Sequence, residues 1–191
     1  MNNQTLIEAN NLAFAINGNK LFHNLSFSLT NGEAMHITGD NGSGKSTLIR
    51  IILGITNQTR GDLENNLSKD IAYLGHKNAV KNYLTLEDNL ILMELKEHKD
   101  LKKYLEILNL KKYSDVIVAN LSFGQQKKLA LLRIFLNNSE LIVLDEPFVG
   151  LDKQTQKILS EFLNNELDKK KSIIYTSHIP CEIESKVLNI I

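Results

Sequence analysis

Cysteine occurs once in these 191 residues, arginine three times, and net charge not at all, since 22 basic side chains balance 22 acidic ones. The lone Cys181 forbids an internal disulfide and lies in no metal-ligand pattern, which fits a reducing cytoplasm. A balanced charge sets up no global field to draw nucleic acid or anionic lipid. The pairs Lys102-Lys103, Lys111-Lys112 and Lys127-Lys128 and the run Lys169-Lys170-Lys171 alternate with acids on helical segments and read as solvated faces. Only Arg50, Arg60 and Arg133 could serve as an arginine finger. No apolar run approaches the ~20 residues that span a bilayer, and no charged, apolar and small-residue leader opens the chain. Direct membrane insertion is therefore not expected.

What is present begins with Gly39-Asp40-Asn41-Gly42-Ser43-Gly44-Lys45-Ser46-Thr47. This spacing is that of a phosphate-binding loop. Its glycines let successive backbone N–H groups curl around a β-phosphate, Lys45 reaches the β and γ oxygens, and the Ser46 hydroxyl goes to Mg²⁺. The flanks agree: Glu33 to Thr38 reads as a strand and Thr47 to Leu53 as a helix whose N-terminus favours an anion. The chemistry implied is binding of nucleotide phosphates with Mg²⁺.

Leu141 to Leu144 is an apolar run suited to a strand buried on both faces of a parallel sheet, with Asp145 and Glu146 emerging at its C-terminal end. Paired with the phosphate loop, Asp145 would bind Mg²⁺ through water and Glu146 would take a proton from the water attacking the γ-phosphate. Ser172 to Thr176 reads as a neighbouring strand, and His178 at its end would face the same crevice and bond the γ-phosphate. Ser122-Phe123-Gly124-Gln125 reads two ways. Ser-x-x-Gln is a capping box, and the helix it opens, with Leu129, Leu132, Arg133 and Leu136 at helical spacing, also presents an anion site.

The wider pattern predicts a single α/β domain over residues 1–191. An antiparallel flank comes first, Leu6 to Ile16, a turn at Asn17-Gly18, then Leu25, Phe27 and Leu29 alternating. A parallel core sheet follows, interrupted over about residues 80–136 by a small helical subdomain that starts at Thr85 with Leu86, Leu90 and Met93 on one face. The α/β pattern resumes at Leu141, with an amphipathic helix from Gln154 to Leu167 and a last strand from Val187 to Ile191.

Taken in order, these motifs make the chain resemble the nucleotide-binding subunits of ABC transporters over nearly its whole length. The P-loop NTPase cassette of that family is then the implied fold. The resemblance implies that Ser122, Gly124 and Gln125 complete the ATP site of an opposite subunit in an ATP-dependent homodimer, and that Asp152 in Gly150-Leu151-Asp152 communicates across it. It further implies inner-membrane transporter subunits as partners and a peripheral place on the cytoplasmic face of that membrane. Tyr73-Leu74-Gly75-His76, Leu84-Thr85-Leu86-Glu87-Asp88-Asn89-Leu90 and Leu144-Asp145-Glu146-Pro147-Phe148 are similar to the haem exporter subunit of bacterial cytochrome c maturation. Its partner would dock near His76, Lys77 and Tyr83. Other small exporters, for lipoprotein release or drug efflux, remain alternatives, as does a soluble non-transport ATPase of the same type. Two departures stand out. His76-Lys77 replaces the usual coupling glutamine, and Ile16, with only Phe14 and Phe22 nearby, falls where an aromatic stacks on adenine.

Overall fold

In the computed structural model, which describes residues 4–16, 18–66 and 71–191, Thr5–Ile16 (β1) and Asn19–Thr30 (β2) pair antiparallel. Gly18 turns between them with φ 81°, while Asn17 of the expected turn lies outside the described residues. Ala34–Thr38 (β3) leads through the glycine-rich loop into Lys45–Ile52 (α1). Next come Arg60–Asn65 (β4) and Ile71–Leu74 (β5). Three helices follow, Leu86–Leu92 (α2), Leu101–Ile107 (α3) and Phe123–Phe135 (α4), before Leu141–Asp145 (β6), Lys153–Asp168 (α5), Ser172–Thr176 (β7) and Lys186–Asn189 (β8).

Five strands form an all-parallel sheet in the order β5-β6-β7-β3-β8. Period-two alternation then assigns the faces. Leu141 and Val143 of β6 join Met35, Ile37 and Ile174 against α1 and the antiparallel layer, whereas Ile142 and Leu144 join Leu74, Ile173 and Tyr175 against α4 and α5. Because both faces are covered, β6 and β7 are buried along their whole length. Helices α2 and α4 each open on a capping box, Thr85 with Asp88 and Ser122 with Gln125. The helical region is locked to α5 by aromatic packing, Tyr104 stacking on Phe135 at 5.0 Å and Phe135 meeting Phe162 edge-on at 4.7 Å.

Strand β4 was not legible in the sequence. Arg-Gly-Asp-Leu-Glu-Asn shows no apolar stripe because its half-buried positions are only Gly61 and Leu63; it pairs with β1 alone, at the edge of the three-stranded sheet β2-β1-β4, and leaves its other residues in solvent.

The parallel order has one consequence for chemistry. The C-terminal ends of β3, β5, β6 and β7 lie along one edge of the sheet, so the glycine-rich loop, Gly75-His76, Asp145-Glu146 and Ser177-His178 all emerge there.

Candidate nucleotide site

A cleft of about 410 Å³ opens at that edge, lined by Leu21, Asn41, Gly42, Gly44, Lys45, Ser46, Thr47, His76, Asp145, Glu146, Val149 and His178. The loop's conformation demands its glycines. Gly44 has φ 103°, and a Cβ there would stand 3.0 Å from the Phe22 ring. A Cβ on Gly39 would stand 2.6 Å from both the Ile190 carbonyl and Ser43 Oγ. Lys45 Nζ donates to the carbonyls of Gly39 at 2.7 Å and Asp40 at 3.0 Å, which closes the loop around its own cation.

Glu146 is the most constrained residue of the cleft. It has φ 51°, a left-handed conformation that costs a side-chain-bearing residue about 1–2 kcal/mol. Three contacts hold it. Its N–H donates to Thr176 Oγ1 at 2.9 Å, its carbonyl accepts from Lys127 Nζ at 3.2 Å, and its Oε2 accepts from the His178 backbone N–H at 3.2 Å. The Thr176 hydroxyl in turn donates to Asp145 Oδ1 at 2.8 Å, so one buried threonine sets both carboxylate residues. Glu146 Oε1 is buried and, within the protein, accepts no hydrogen bond; the His178 imidazole Nε2 approaches it only to 3.5 Å.

Ser122, Gly124, Gln125 and Asp152 do not line this cleft. Ser122 Oγ accepts from the Gln125 N–H at 3.3 Å while the Gln125 amide oxygen accepts from the Ser122 N–H at 2.8 Å, and Ser122 and the adjoining Phe123 are exposed. Asp152 caps α5, accepting from the Thr155 N–H at 2.8 Å, and pairs with Lys128 at 2.6 Å. The Lys128 hydrogen bond, with that from the Thr155 backbone, lowers its carboxyl to about 2.

The sequence pattern misplaced the pair Lys127-Lys128 and did not single out Thr176 or Leu21. Lys127-Lys128 is not a solvated face: Lys127 is 2% exposed, and Lys128 is committed to Asp152. Burial pushes the Lys127 ammonium down from its ordinary value, while the Asp145 and Glu146 carboxylates pull it back up. The signal was the helical wheel, since Lys127 shares its face with buried Leu131 and Ile134. Thr176 and Leu21 carried no comparable sign. Ile16, the expected base contact, does not line the cleft; Leu21 does, with Phe22 buried beneath Gly44 and stacked on Phe14.

The model of the ABC transporter family matches residues 22–149. The chain belongs to this family. Among curated relatives, the cytochrome c biogenesis ATP-binding export protein CcmA of Vibrio vulnificus (strain YJ016) is 34% identical, with 91% of this chain and 92% of the relative covered. The protein of the same name from Brucella abortus (strain 2308) is 32% identical, covering 95% and 89%. Among solved structures, the ATP-binding subunit of an ABC transporter is 27% identical, with a TM-score of 0.77 over 91% of this chain and 80% of that one. A dimeric ATP-binding cassette in a post-hydrolysis state, bound to ADP and Pi, shares the fold with a TM-score of 0.75 at 22% identity, covering 91% of this chain and 88% of that one. The chain is thus an ATP-binding subunit and ATPase of the ABC type, built on the α/β cassette that its motifs predicted.

Replacing Thr176 by Val keeps the shape but strands the Glu146 N–H and a buried Asp145 oxygen. The expected loss is about 1–3 kcal/mol of stability in urea unfolding, with Thr176→Ser recovering most of it.

Proposed function

We infer that this chain drives an export step of the cytochrome c biogenesis type, the haem-exporter role, as an ATP-dependent homodimer held peripherally on the cytoplasmic face of the inner membrane by transporter subunits. The observation that carries the catalytic reading is Glu146 Oε1, a buried acceptor with no donor, in the same cleft as Lys45 and Ser46. A water donating to it would be activated for attack on a γ-phosphate held by the loop.

Each residue then has a task. The backbone of Gly39 to Gly44, with Asp40, Asn41 and Ser43, and of Lys45 to Thr47 cradles the phosphates, and Lys45 exchanges its carbonyl partners for phosphate oxygens. Ser43 Oγ, buried without a partner, is a further donor in that loop. Ser46 and Asp145 set a hydroxyl and a carboxylate on the cleft, the hard oxygen donors that suit Mg²⁺; they would hold the ion, which neutralises phosphate charge when bound. Glu146 accepts the proton of the attacking water. His178 supplies a hydrogen bond to the γ-phosphate as that oxygen gains charge.

The exposed N-terminus of α4 supports the dimer. Ser122, Gly124 and Gln125 lie outside the cleft on a helix end that attracts anions, so they would complete the site of a second copy, with Asp152 at the seam. Residues of about 80–136 form the helical subdomain of one ABC domain. Within it Tyr83, Ile91 and Leu92 expose large apolar side chains, and Tyr83, with His76 and Lys77 of the preceding loop, is where the membrane partner is expected to dock. Among the described residues no helix is long and apolar enough to cross a membrane.

Lys45→Ala is expected to weaken ATP binding. Glu146→Gln should keep the affinity, slow turnover by ~10²–10⁴-fold, and trap a Mg-ATP dimer in light scattering that Ser122→Arg abolishes. Equal affinity loss in the first two variants, or a dimer indifferent to ATP and to Ser122→Arg, would contradict the assignment.

In cells, Lys45→Ala should leave haem synthesis intact and stop covalent c-type cytochromes from maturing, read by haem staining of gels. Normal c-type cytochromes beside a defect in lipoprotein sorting or drug efflux would reassign the cargo.

A further inference from the structure

Among the described residues Lys127 is the only fully buried basic side chain, and it makes no ion pair within salt-bridge distance. Its hydrogen bond goes to the Glu146 carbonyl. Taking a cation out of water costs several kcal/mol, and its helix neighbours Ala130, Leu131 and Ile134 are apolar, so a methionine would fill this place at lower cost. A charge kept there at such expense needs a reason. The Asp145 and Glu146 carboxylates supply the attraction, and the left-handed Glu146 peptide supplies the task.

The surroundings extend the point. Lys127 stands five residues beyond the Ser122 cap on α4, and the first turns of that helix grip the segment after Glu146 at further places. The Phe123 ring and the Gly124 backbone lie so close to Gly150 that a Cβ on Gly150 would stand 2.3 Å from Phe123, and a Cβ on Gly124 would stand 2.8 Å from the Gly150 carbonyl. Lys128 bridges to Asp152. Helix α4 and the segment 146–152 are therefore clasped together, with Lys127 the contact nearest the base.

We propose that Lys127 is a positioning residue of the ATPase reaction, which through its bond to the Glu146 carbonyl fixes the backbone from which the Glu146 carboxylate reaches into the cleft and makes α4 part of that carboxylate's support. The inference rests on reading Glu146 as the base. Lys127 touches neither nucleotide nor water in this scheme; it sets the angle of the group that does.

The test uses the full-length chain with Mg-ATP. Lys127→Met, Lys127→Gln and Lys127→Arg are made in the native and Glu146→Gln backgrounds, and kcat, the Kd of a fluorescent ATP analogue and the melting temperature are measured. Lys127→Met and Lys127→Gln should lower kcat roughly 10- to 100-fold with Kd within about twofold, the scale set by slight misplacement of a reacting group, and Lys127→Arg should recover part of it. In the Glu146→Gln background, Lys127→Met should change the residual rate little, because the carboxylate it positions is already gone. Native kcat in Lys127→Met and Lys127→Gln, the same fractional loss in both backgrounds, or a loss that follows falling affinity or melting temperature would overturn the inference. A Glu146→Gln variant at native rate would instead overturn the reading of the base. Slow Glu146→Gln beside fast Lys127→Met sinks the role of Lys127 alone.

Discussion

A single left-handed peptide, at Glu146, is the constraint around which the cleft is organised. The chain leaves a fully buried parallel strand at Asp145 and must turn at once, because Pro147 cannot continue the ladder. A left-handed residue makes that turn sharp enough to send consecutive carboxylates into one cleft. Its cost of about 1–2 kcal/mol is offset by a hydrogen bond at each end of the residue, from β7 through Thr176 and from α4 through Lys127. Strain of this kind persists only where surrounding structure over-determines it.

The two partners come from distant parts of the chain, which explains why the rest of the fold is arranged as it is. Thr176 lies directly opposite Asp145 only because β7 sits between β6 and β3 in the sheet, so the order β5-β6-β7-β3-β8 is what unites carboxylates and phosphate loop. Lys127 reaches Glu146 only because α4 packs on the same face as Leu144. The helical region, α2 to α4, is tied back to the loop after β5 as well, since Arg133 donates to the Asn78 carbonyl at 2.7 Å and Asn89 bonds the Lys81 backbone. His76 is carried into the cleft on that loop.

Much of this was legible beforehand, and the reasons differ by element. The glycine-rich loop could be read because Gly39, Gly42 and Gly44 all take positive φ, and Gly39 and Gly44 also have no room for a Cβ, which forces glycine into a fixed spacing. Strands β6 and β7 could be read because burial on both faces demands an unbroken apolar run. Edge strand β4 could not, since its half-buried positions are only Gly61 and Leu63, too few apolar side chains to mark a covered face. Lys127 was hidden for a different reason. A lysine pair on a helix is ordinarily solvated, and only the neighbouring carboxylates, 18 and 19 residues away in sequence, reverse that expectation. Thr176 was opaque because a hydroxyl at a strand end announces nothing until the strand order is known.

The central claim is that Glu146 is held in advance, by its own peptide, in the orientation needed to activate water. A high-resolution crystal structure of the chain with Mg²⁺ and a non-hydrolysable ATP analogue tests it most directly. The expected result is a left-handed Glu146 still bonded to Thr176 and Lys127, with Oε1 accepting from a water in line with the γ-phosphate. A Glu146 peptide that has flipped to negative φ, or a lytic water held by another side chain while Oε1 stays buried and unpartnered, would contradict the account.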